Sequence, residues 1–568
     1  MYRLRPSLEL KEPVEVTVGY EEISRKLRKR IEKNHFHHIA IESYPGIELR
    51  EFQEKVEKVF PDALITETES LFYSPENIYQ ELKEDLTPDP VFGRYSHRRF
   101  SEFLSPEALE IAKKKINKYN GLVITIGVCA SDIISPDLIV YLDIPRREIQ
   151  KRYKKGLSNW KGYKEEDFSK KLKRANYFEW PAGLEKKEQV LPVCDYFIDM
   201  SVDNTPKMIN GSDMRKSLYQ FIQQPFRLVP FFEPGVWGGH WMQEKFEVGK
   251  DEVNLAWCFD GVPEENSIIF MTQGVEIEMP AQNLVSLYPE ELLGNKVFGR
   301  YGKDFPIRFD FLDTMGGQNL SLQVHPTLDY AHRKFGAKYT QDESYYILDC
   351  KENAKVYLGV KENVKLNTLV SELELAEHTG VFEEEQYINS IPVKKHDHLL
   401  IPAGTVHSSG SDCVVLEISA TPNRYTFKLW DWGRLDLNGQ PRPISIHHGK
   451  HVINTEFNES FARDELYNNV ETLEEKNFII EKTGLHELES IETHRIIFSE
   501  KVMQYTEKSV NMLNLVEGEH IQVKSPTNEF SPFDIYYGET FIIPENVKDY
   551  ELVPIGNHEA IVMKAFIR

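Results

Sequence analysis

The hydrophobic pattern of this chain changes between residues 200 and 225, and the change restricts the fold more than any other feature. Before it, unbroken apolar segments such as LVITIGVCA at 122–130 and LIVYLDI at 138–144 alternate with charged, amphipathic helical stretches. Apolar strands separated by helices are typical of a parallel sheet covered on both faces. After about residue 225, many short β-rich segments end at Pro or Gly, as in DHLLIPAGTV at 397–406. The pattern therefore predicts a multidomain protein, an α/β domain followed by all-β barrels.

Two segments of the β-rich part resemble each other. HDHLLIPAGTVH at 396–407 matches YGETFIIPENVKD at 537–549, with Pro402 on Pro544 at an offset of 142 residues. Such an internal repeat favours two related barrels. At the same offset the histidine that ends the first segment falls on Asp549, so the second barrel is expected to hold no metal. We predict three domains, over residues 1–210 (α/β), 225–455 (first barrel) and 456–568 (second, metal-free barrel).

Charge and cysteine usage limit the partners and the compartment. Lys and Arg number 68 against 90 Asp and Glu, a net charge of -22, so the chain as a whole repels nucleic acid. The five cysteines are widely spaced, as in a reducing cytosol. The N-terminus lacks the apolar core of a signal peptide, and the apolar run at 122–130 is too short to span a bilayer. We expect a cytoplasmic protein that binds neither nucleic acid nor membrane, and its oligomeric state stays open.

The densest group of potential metal ligands lies in three segments of the first predicted barrel. They are Gln323 and His325 in LSLQVHP, Glu343 in QDESYYIL, and His407 in IPAGTVH. Residues two apart on a strand point the same way, so Gln323 and His325 can present an oxygen and a nitrogen to one point. A carboxylate and a second imidazole from other strands would complete a mixed site suited to Zn²⁺. A single carboxylate leaves the ion net positive, which favours a catalytic ion.

Six segments resemble class I mannose-6-phosphate isomerases, in the family's order. They are VWGGHWM (236–242), ELLGNKVFGRYGKDFPIRFDFLD (291–313), NLSLQVHP (319–326), DESYYILD (342–349), IPAGTVH (401–407) and TFKLWDWGR (426–434). The resemblance implies a tandem cupin with one zinc ion per chain, held by Gln323, His325, Glu343 and His407. It also implies that the substrate is a phosphorylated hexose. The implied reaction interconverts mannose 6-phosphate and fructose 6-phosphate through an enediol.

Two positions depart from the family's pattern. Members carry a lysine two residues before the metal-binding glutamate, whereas this chain has Gln341. The family's T-Y-R segment reads T-F-K at 426–428, which keeps a positive charge but loses the bidentate guanidinium. Lys428 is therefore predicted to be catalytic, with Arg424 and Arg434 helping to bind phosphate or the enediolate.

The α/β domain opens with HIAIESYPGIELREF at 38–52, a strand, turn and helix arranged as in a P-loop. With Gly46 aligned to the motif's second glycine, Ile47 and Glu48 replace the phosphate-binding lysine and the magnesium-binding hydroxyl. The domain also resembles uridine-kinase-like or nucleoside-kinase-like proteins in the order of its later segments. We predict a degenerate P-loop fold without kinase activity.

Two other functions stay open. Loss of the family's lysine and arginine could leave a metal-binding phosphosugar sensor or regulatory protein. Alternatively, the chain could be a bifunctional kinase and isomerase, against which Ile47 and Glu48 argue.

Overall fold

The computed structural model describes residues 2–420, 424–437, 439–440, 442–483, 489–556 and 558–568. The chain divides into two compact units, each built from separate stretches of sequence. The α/β unit contains Ser7–Gln220 and Ser267–Leu287. The β unit contains Met1–Pro6, Phe221–Asn266 and Tyr288–Arg568.

The first region of the chain alternates strands and helices, as predicted. Its elements are β1 (Leu8–Glu9), β2 (Thr17–Val18), α1 (Tyr20–Asn34), β3 (His38–Ser43), α2 (Arg50–Val59), β4 (Leu64–Glu67), α3 (Pro75–Leu86), α4 (Pro106–Asn117), β5 (Val123–Gly127), α5 (Ala130–Ile133), β6 (Leu138–Asp143), α6 (Arg146–Lys154), α7 (Phe168–Arg174), α8 (Trp180–Val190), β7 (Tyr196–Asp199), β8 (Lys207–Asn210) and α9 (Gly211–Phe221).

A seven-stranded sheet in the order β2-β8-β7-β6-β3-β5-β4 forms the centre of the α/β unit. The strands β4, β5, β3, β6 and β7 run parallel, and β8 and β2 complete the edge in antiparallel pairing. The parallel strands β3, β5 and β6 are almost fully buried, as expected where helices cover both faces. The predicted α/β parallel sheet is therefore present.

The next region contains the strands of the first barrel. Its elements are β9 (Phe231–Glu233), α10 (Trp241–Lys245), β10 (Trp257–Gly261), β11 (Ser267–Thr272), β12 (Val275–Pro280), α11 (Gln282–Leu287), α12 (Pro289–Leu293), α13 (Asn295–Tyr301), β13 (Ile307–Asp313), β14 (Leu322–Val324), α14 (Leu328–Phe335), β15 (Glu343–Cys350), β16 (Lys355–Val360), α15 (Leu366–Thr379), α16 (Glu384–Tyr387), β17 (Ile388–Pro392), β18 (His398–Ile401), β19 (His407–Ser409), β20 (Cys413–Ala420), β21 (Phe427–Trp430), α17 (Ile446–Gly449) and α18 (Glu459–Phe461).

The last region forms the second barrel. Its strands are β22 (Glu471–Glu475), β23 (Phe478–Thr483), β24 (Ile491–Phe498), β25 (Val502–Tyr505), β26 (Asn511–Glu517), β27 (His520–Lys524), β28 (Phe533–Tyr536), β29 (Thr540–Ile543), β30 (Asp549–Pro554) and β31 (Ala560–Ile567).

The two barrels have the same strand order. The first pairs a sheet β18-β15-β20-β13-β10-β9 with a sheet β17-β16-β19-β14-β21. The second pairs β29-β26-β31-β24-β23-β22 with β28-β27-β30-β25. Strands β13 to β20 thus correspond one to one with β24 to β31, and in each barrel the two sheets share an apolar core. The predicted internal repeat is present: β18 and β29 have equal lengths and lie at the same 142-residue offset.

The domain boundaries differ from those predicted. The segment 267–287 belongs to the α/β unit, where β11 pairs in parallel with β1 and in antiparallel with β12. The first six residues belong to the β unit, where the Arg3 guanidinium contacts Glu539. The first barrel also extends past residue 455, because residues 458 and 467 form bridges to its strands. Turn composition reveals where a pattern changes, but not which distant strand a segment will pair with.

None of the helices in the described ranges is both long and apolar enough to cross a lipid bilayer.

Candidate metal centre

Three strands of the first barrel bring the predicted ligands together. Gln323 lies on β14, with His325 just beyond its end, while Glu343 and His407 are the first residues of β15 and β19. Gln323 and His407 are direct cross-strand partners, so their side chains share one face. Pro402 ends β18 and Gly404 adopts a positive φ of 97°, which turns the chain so that His407 begins the next strand.

Two imidazoles and one carboxylate converge at this point. His325 Nε2 lies 3.0 Å from Glu343 Oε2, and His407 Nε2 lies 2.8 Å from Glu343 Oε1. Ligand atoms of the three residues all lie within 4.8 Å of one another. The residues are 1%, 2% and 0% exposed in the order His325, Glu343, His407. Burial alone would raise the pKa of Glu343, but the two imidazoles hold it well below its usual range when they are protonated, and a bound cation would replace those protons.

The outer nitrogens of both histidines fix the direction of the rings. His325 Nδ1 lies 3.3 Å from the Tyr425 carbonyl, and His407 Nδ1 lies 2.9 Å from the Thr405 carbonyl. A carbonyl only accepts, so each Nδ1 carries the proton and each Nε2 presents a lone pair to Glu343. Among the described residues, His325 Nε2 and Glu343 Oε1 have no hydrogen-bond partner although they are buried. Lone pairs facing one another at this distance fit a shared cation, so the group could hold a metal ion.

Gln323 borders the group of three. Its amide nitrogen lies 3.1 Å from His407 Nε2. An amide can be rotated to exchange its nitrogen and oxygen, and the oxygen is the atom that binds cations. The structure thus places the fourth predicted ligand next to the other three.

A second polar group lines the barrel beside the metal centre. Gln341 Nε2 donates to Glu343 Oε2 (2.8 Å) and lies 3.4 Å from Glu417 Oε1. The Arg308 guanidinium lies 3.3 Å from Glu417 Oε1 and 3.5 Å from Asp310 Oδ2. Burial raises the pKa of Glu417 well above its usual range and raises that of Asp310 to about 6. The barrel therefore holds carboxyl groups that can accept or donate a proton near neutral pH.

Sequence reasoning missed this second group. Glu417 is the one charged residue in the otherwise apolar or small segment CVVLEIS of β20, and Arg308 and Asp310 alternate with apolar residues in IRFDFL of β13. A charge in a buried strand is a signal, because such a residue needs a partner. Its cross-strand partner is not visible in the sequence: Asp310 lies opposite Glu417 only in the register of β13 and β20.

The three predicted basic residues have different surroundings. Lys428 on β21 lies opposite Gln323 on β14, the residue that borders the group of three. Burial, together with Arg442 and Arg434 nearby, lowers the pKa of Lys428 to about 8. Arg434 instead links two segments of the barrel, because it donates to the Asp431 carboxylate (2.5 Å) and to the Asn319 carbonyl (2.6 Å).

Arg424, the third predicted basic residue, faces Glu265 at 3.9 Å. Glu265 also acts electrostatically on Arg308 and Asp310. Arg424 therefore lies near a carboxylate that also acts on the second polar group.

In the α/β unit, the turn compared with a P-loop is covered by side chains. Gly46 has a φ of 95°, and a Cβ added there would lie 2.6 Å from Ile149 Cγ2 on α6. Lys187 on α8 lies over the Tyr44 ring and forms a 2.9 Å ion pair with Asp143. Ile47 packs against the apolar core. The residue in the lysine position serves packing, and the kinase-like interpretation stays a prediction.

One family model matches the N-terminal part of the chain, and curated relatives match 40% of it. Residues 19–223 match a family described as "Domain of unknown function (DUF8485)". Bacillus subtilis YvyI is 28% identical over 233 residues, which is 40% of this chain and 67% of YvyI. The mannose-6-phosphate isomerases ManA of B. subtilis and that of Streptococcus mutans are 26% and 25% identical over 40% of this chain and 68% of each relative.

The crystal structure of B. subtilis mannose 6-phosphate isomerase aligns with 60% of this chain and 99% of its own, at 21% identity and a TM-score of 0.49. Both of these curated relatives, from B. subtilis and S. mutans, are named mannose-6-phosphate isomerase.

Proposed function

We propose that the first barrel is a zinc-dependent isomerase that interconverts mannose 6-phosphate and fructose 6-phosphate. The buried group of His325, Glu343 and His407 carries the proposal, and Gln323 is its fourth ligand. The names of the curated relatives support the reaction and the phosphosugar substrate. Two nitrogens and two oxygens match the ligand preference of zinc.

The four ligands suit an isomerase because they carry only one negative charge. When bound, the zinc ion supplies Lewis-acid polarisation of the substrate's oxygens. The remaining task is to move a proton between C1 and C2 of the open-chain sugar. That task requires a base beside the bound oxygens.

Glu417 is the residue we assign to the proton transfer. It lies next to the metal centre, because Gln341 contacts both Glu343 and Glu417. It faces the barrel interior in register with Asp310 and Tyr345. Arg308 at 3.3 Å can stabilise its carboxylate after the proton has left. A raised pKa suits a group that must both take and return a proton.

Lys428 supplies positive charge on β21, where Gln323 is its strand partner. The chain therefore retains a cation at the position where the T-F-K segment departs from the family's pattern. This observation favours an active enzyme over a sensor that has lost all of its basic residues.

A coupled assay tests the function. The full-length protein loaded with zinc should interconvert mannose 6-phosphate and fructose 6-phosphate, and chelation should abolish the reaction. Adding zinc back should restore it. Tight metal binding without turnover on a panel of sugar phosphates would favour the sensor instead.

For the α/β unit we propose a role other than phosphoryl transfer. The covered turn and the apolar packing of Ile47 leave no cation in the place of the P-loop lysine. Isothermal titration with MgATP should show no binding in the micromolar range, whereas such binding would support a bifunctional kinase and isomerase.

A cytoplasmic location remains our proposal, consistent with five free cysteines in the structure.

A further inference from the structure

Three cations surround one buried carboxylate at the edge of the metal centre. Asp431 forms ion pairs with Arg434 at 2.5 Å and with Arg442 Nη1 at 2.6 Å, and it accepts a hydrogen bond from Ser321 Oγ at 2.8 Å. Lys428 lies three residues before Asp431 and is the strand partner of Gln323, which follows Ser321 by two residues. We call Lys428, Arg434, Arg442 and Asp431 the basic cluster. It contains three positive charges and one negative charge, so two positive charges remain unbalanced.

The unbalanced charge lies on Lys428 and Arg442. Arg434 directs its nitrogens to Asp431 and to the Asn319 carbonyl. Among the described residues, the contacts of Arg442 run through Nη1, which pairs with Asp431 and donates to Ser321 Oγ at 3.2 Å. Within the described part of the chain, the Lys428 ammonium makes no hydrogen bond or ion pair. A partly buried cation beside two guanidinium groups is unfavourable unless an anion joins them.

The distance from the metal ligands suits one end of a sugar phosphate. Ser321, which contacts Arg442, precedes Gln323 by two residues on the same face of the chain. Two residues of extended strand span about 7 Å. This is comparable to the distance between C2 and the phosphorus atom of an open-chain hexose 6-phosphate. A phosphate at the basic cluster would leave C1 and C2 at the metal centre.

We propose that Lys428 and Arg442 form the phosphate-binding subsite of the first barrel, with Asp431 as the positioning residue that holds Arg442. This inference rests on the proposed function and adds a substrate contact, Arg442, to it. Arg442 would grip the phosphate through a bidentate guanidinium, and Lys428 would act as a point charge. Arg434 has a structural role here and does not contact the substrate.

The test compares Arg442→Gln and Lys428→Met with Arg333→Gln, an exposed arginine on α14 paired with Asp329. All are made in the full-length, zinc-loaded protein, and zinc content and melting temperature are measured first. Steady-state kinetics with mannose 6-phosphate then give KM and kcat. Titration calorimetry with inorganic phosphate measures anion binding without turnover. Arg442→Lys serves as a conservative variant if Arg442→Gln fails to fold.

We expect Arg442→Gln and Lys428→Met each to raise KM by about tenfold or more, since a charge-assisted hydrogen bond is worth at least that factor. Zinc content should be retained, kcat should change less than KM, and phosphate binding should weaken in parallel. Arg442→Lys should recover part of the affinity. Arg333→Gln should match the wild type. Unchanged KM and unchanged phosphate affinity in both cluster variants would overturn the subsite.

The same measurements separate the two proposals. If the wild type binds inorganic phosphate, and Arg442→Gln loses that binding, the subsite stands even when no sugar phosphate is isomerised. In that case only the proposed reaction fails. If the wild type isomerises mannose 6-phosphate while both variants bind phosphate normally, the reaction stands and the subsite is wrong.

Discussion

In both barrels a six-stranded sheet faces a smaller one and the strands follow the same order, yet among the described residues the group of two histidines and a glutamate lies in the first barrel. The first residue of β19 is the buried His407, whereas the first residue of its counterpart β30 is the exposed Asp549. Asn511 of β26 corresponds to Glu343 of β15. Asn511 pairs with Ile543 across the strands, just as Glu343 pairs with Ile401. Within the described residues the histidine and glutamate positions of the first barrel are therefore not repeated with the fold, so the strand order alone does not create such a group.

Hydrogen bonding explains why Asn511 is not a second ligand. Its amide donates to the Thr506 carbonyl at 2.9 Å and to the Ser509 carbonyl at 3.2 Å, and its oxygen accepts from the Tyr550 hydroxyl at 3.0 Å. By contrast, a Glu343 oxygen lacks a hydrogen-bond partner among the described residues. A satisfied amide fixes a turn, whereas an unsatisfied carboxylate is available for a cation.

The largest expected effect tests this contrast directly. His407→Ala should lose the metal and lower turnover by about a thousandfold or more, because Lewis-acid polarisation is worth several kcal/mol. Asp549→Ala, its counterpart in the second barrel, should change neither. Metal analysis and the coupled assay measure both variants. About one equivalent of metal retained in His407→Ala would move the site elsewhere.

The next effect concerns Glu417, whose counterpart in the register of β31 is Lys564. Glu417→Gln should lower kcat by about a hundredfold to ten-thousandfold, the range for general acid–base groups, with its zinc retained. Lys564 bonds instead to the Tyr505 carbonyl at 2.7 Å, so Lys564→Met should leave kcat nearly unchanged. Steady-state assays below both melting temperatures compare the pair. A normal kcat in Glu417→Gln would assign proton transfer to another carboxyl, with Asp310 first in line.

A smaller effect should appear in the pH profile. The pKa of Lys428 is lowered to about 8, so this side chain is charged below that pH and neutral above it. We expect kcat/KM for mannose 6-phosphate to decline by about tenfold per pH unit above 8. Lys428→Arg should move the decline to higher pH, because a guanidinium stays charged. An unchanged alkaline limb in Lys428→Arg would show that a different group titrates there.

The smallest effect on turnover should come from the core of the second barrel. Leu513 on β26 is fully buried in its apolar core. Leu513→Ala should lower the free energy of unfolding by about 2–5 kcal/mol, the usual cost of such a cavity. The folded variant should keep its zinc and its kcat. Thermal unfolding followed by metal analysis checks this, and a loss of zinc from folded protein would mean that the second barrel shapes the metal centre.

Much of the candidate site could be proposed from local sequence. The Q-x-H spacing at 323–325 and the Pro-Ala-Gly turn before His407 both describe short-range geometry, and the structure brings these residues together with Glu343. Arg442 and Glu417 could not be found in this way. Each contacts a partner roughly a hundred residues away in the sequence: Arg442 contacts Ser321, and Glu417 contacts Arg308.

The sequence by itself determined the classes of structure and their order along the chain. Apolar periodicity and turn residues act over a few positions, so the parallel α/β sheet, the repeated barrels and the change between them can be recognised locally. Only the tertiary structure decided which face of each repeated strand is buried. It also decided that segment 267–287 belongs to the α/β unit, where β11 pairs with β1. Strand pairing connects residues far apart in sequence, and a shift of one residue reverses every side chain. The identity of the site therefore depends on register, which no local pattern contains.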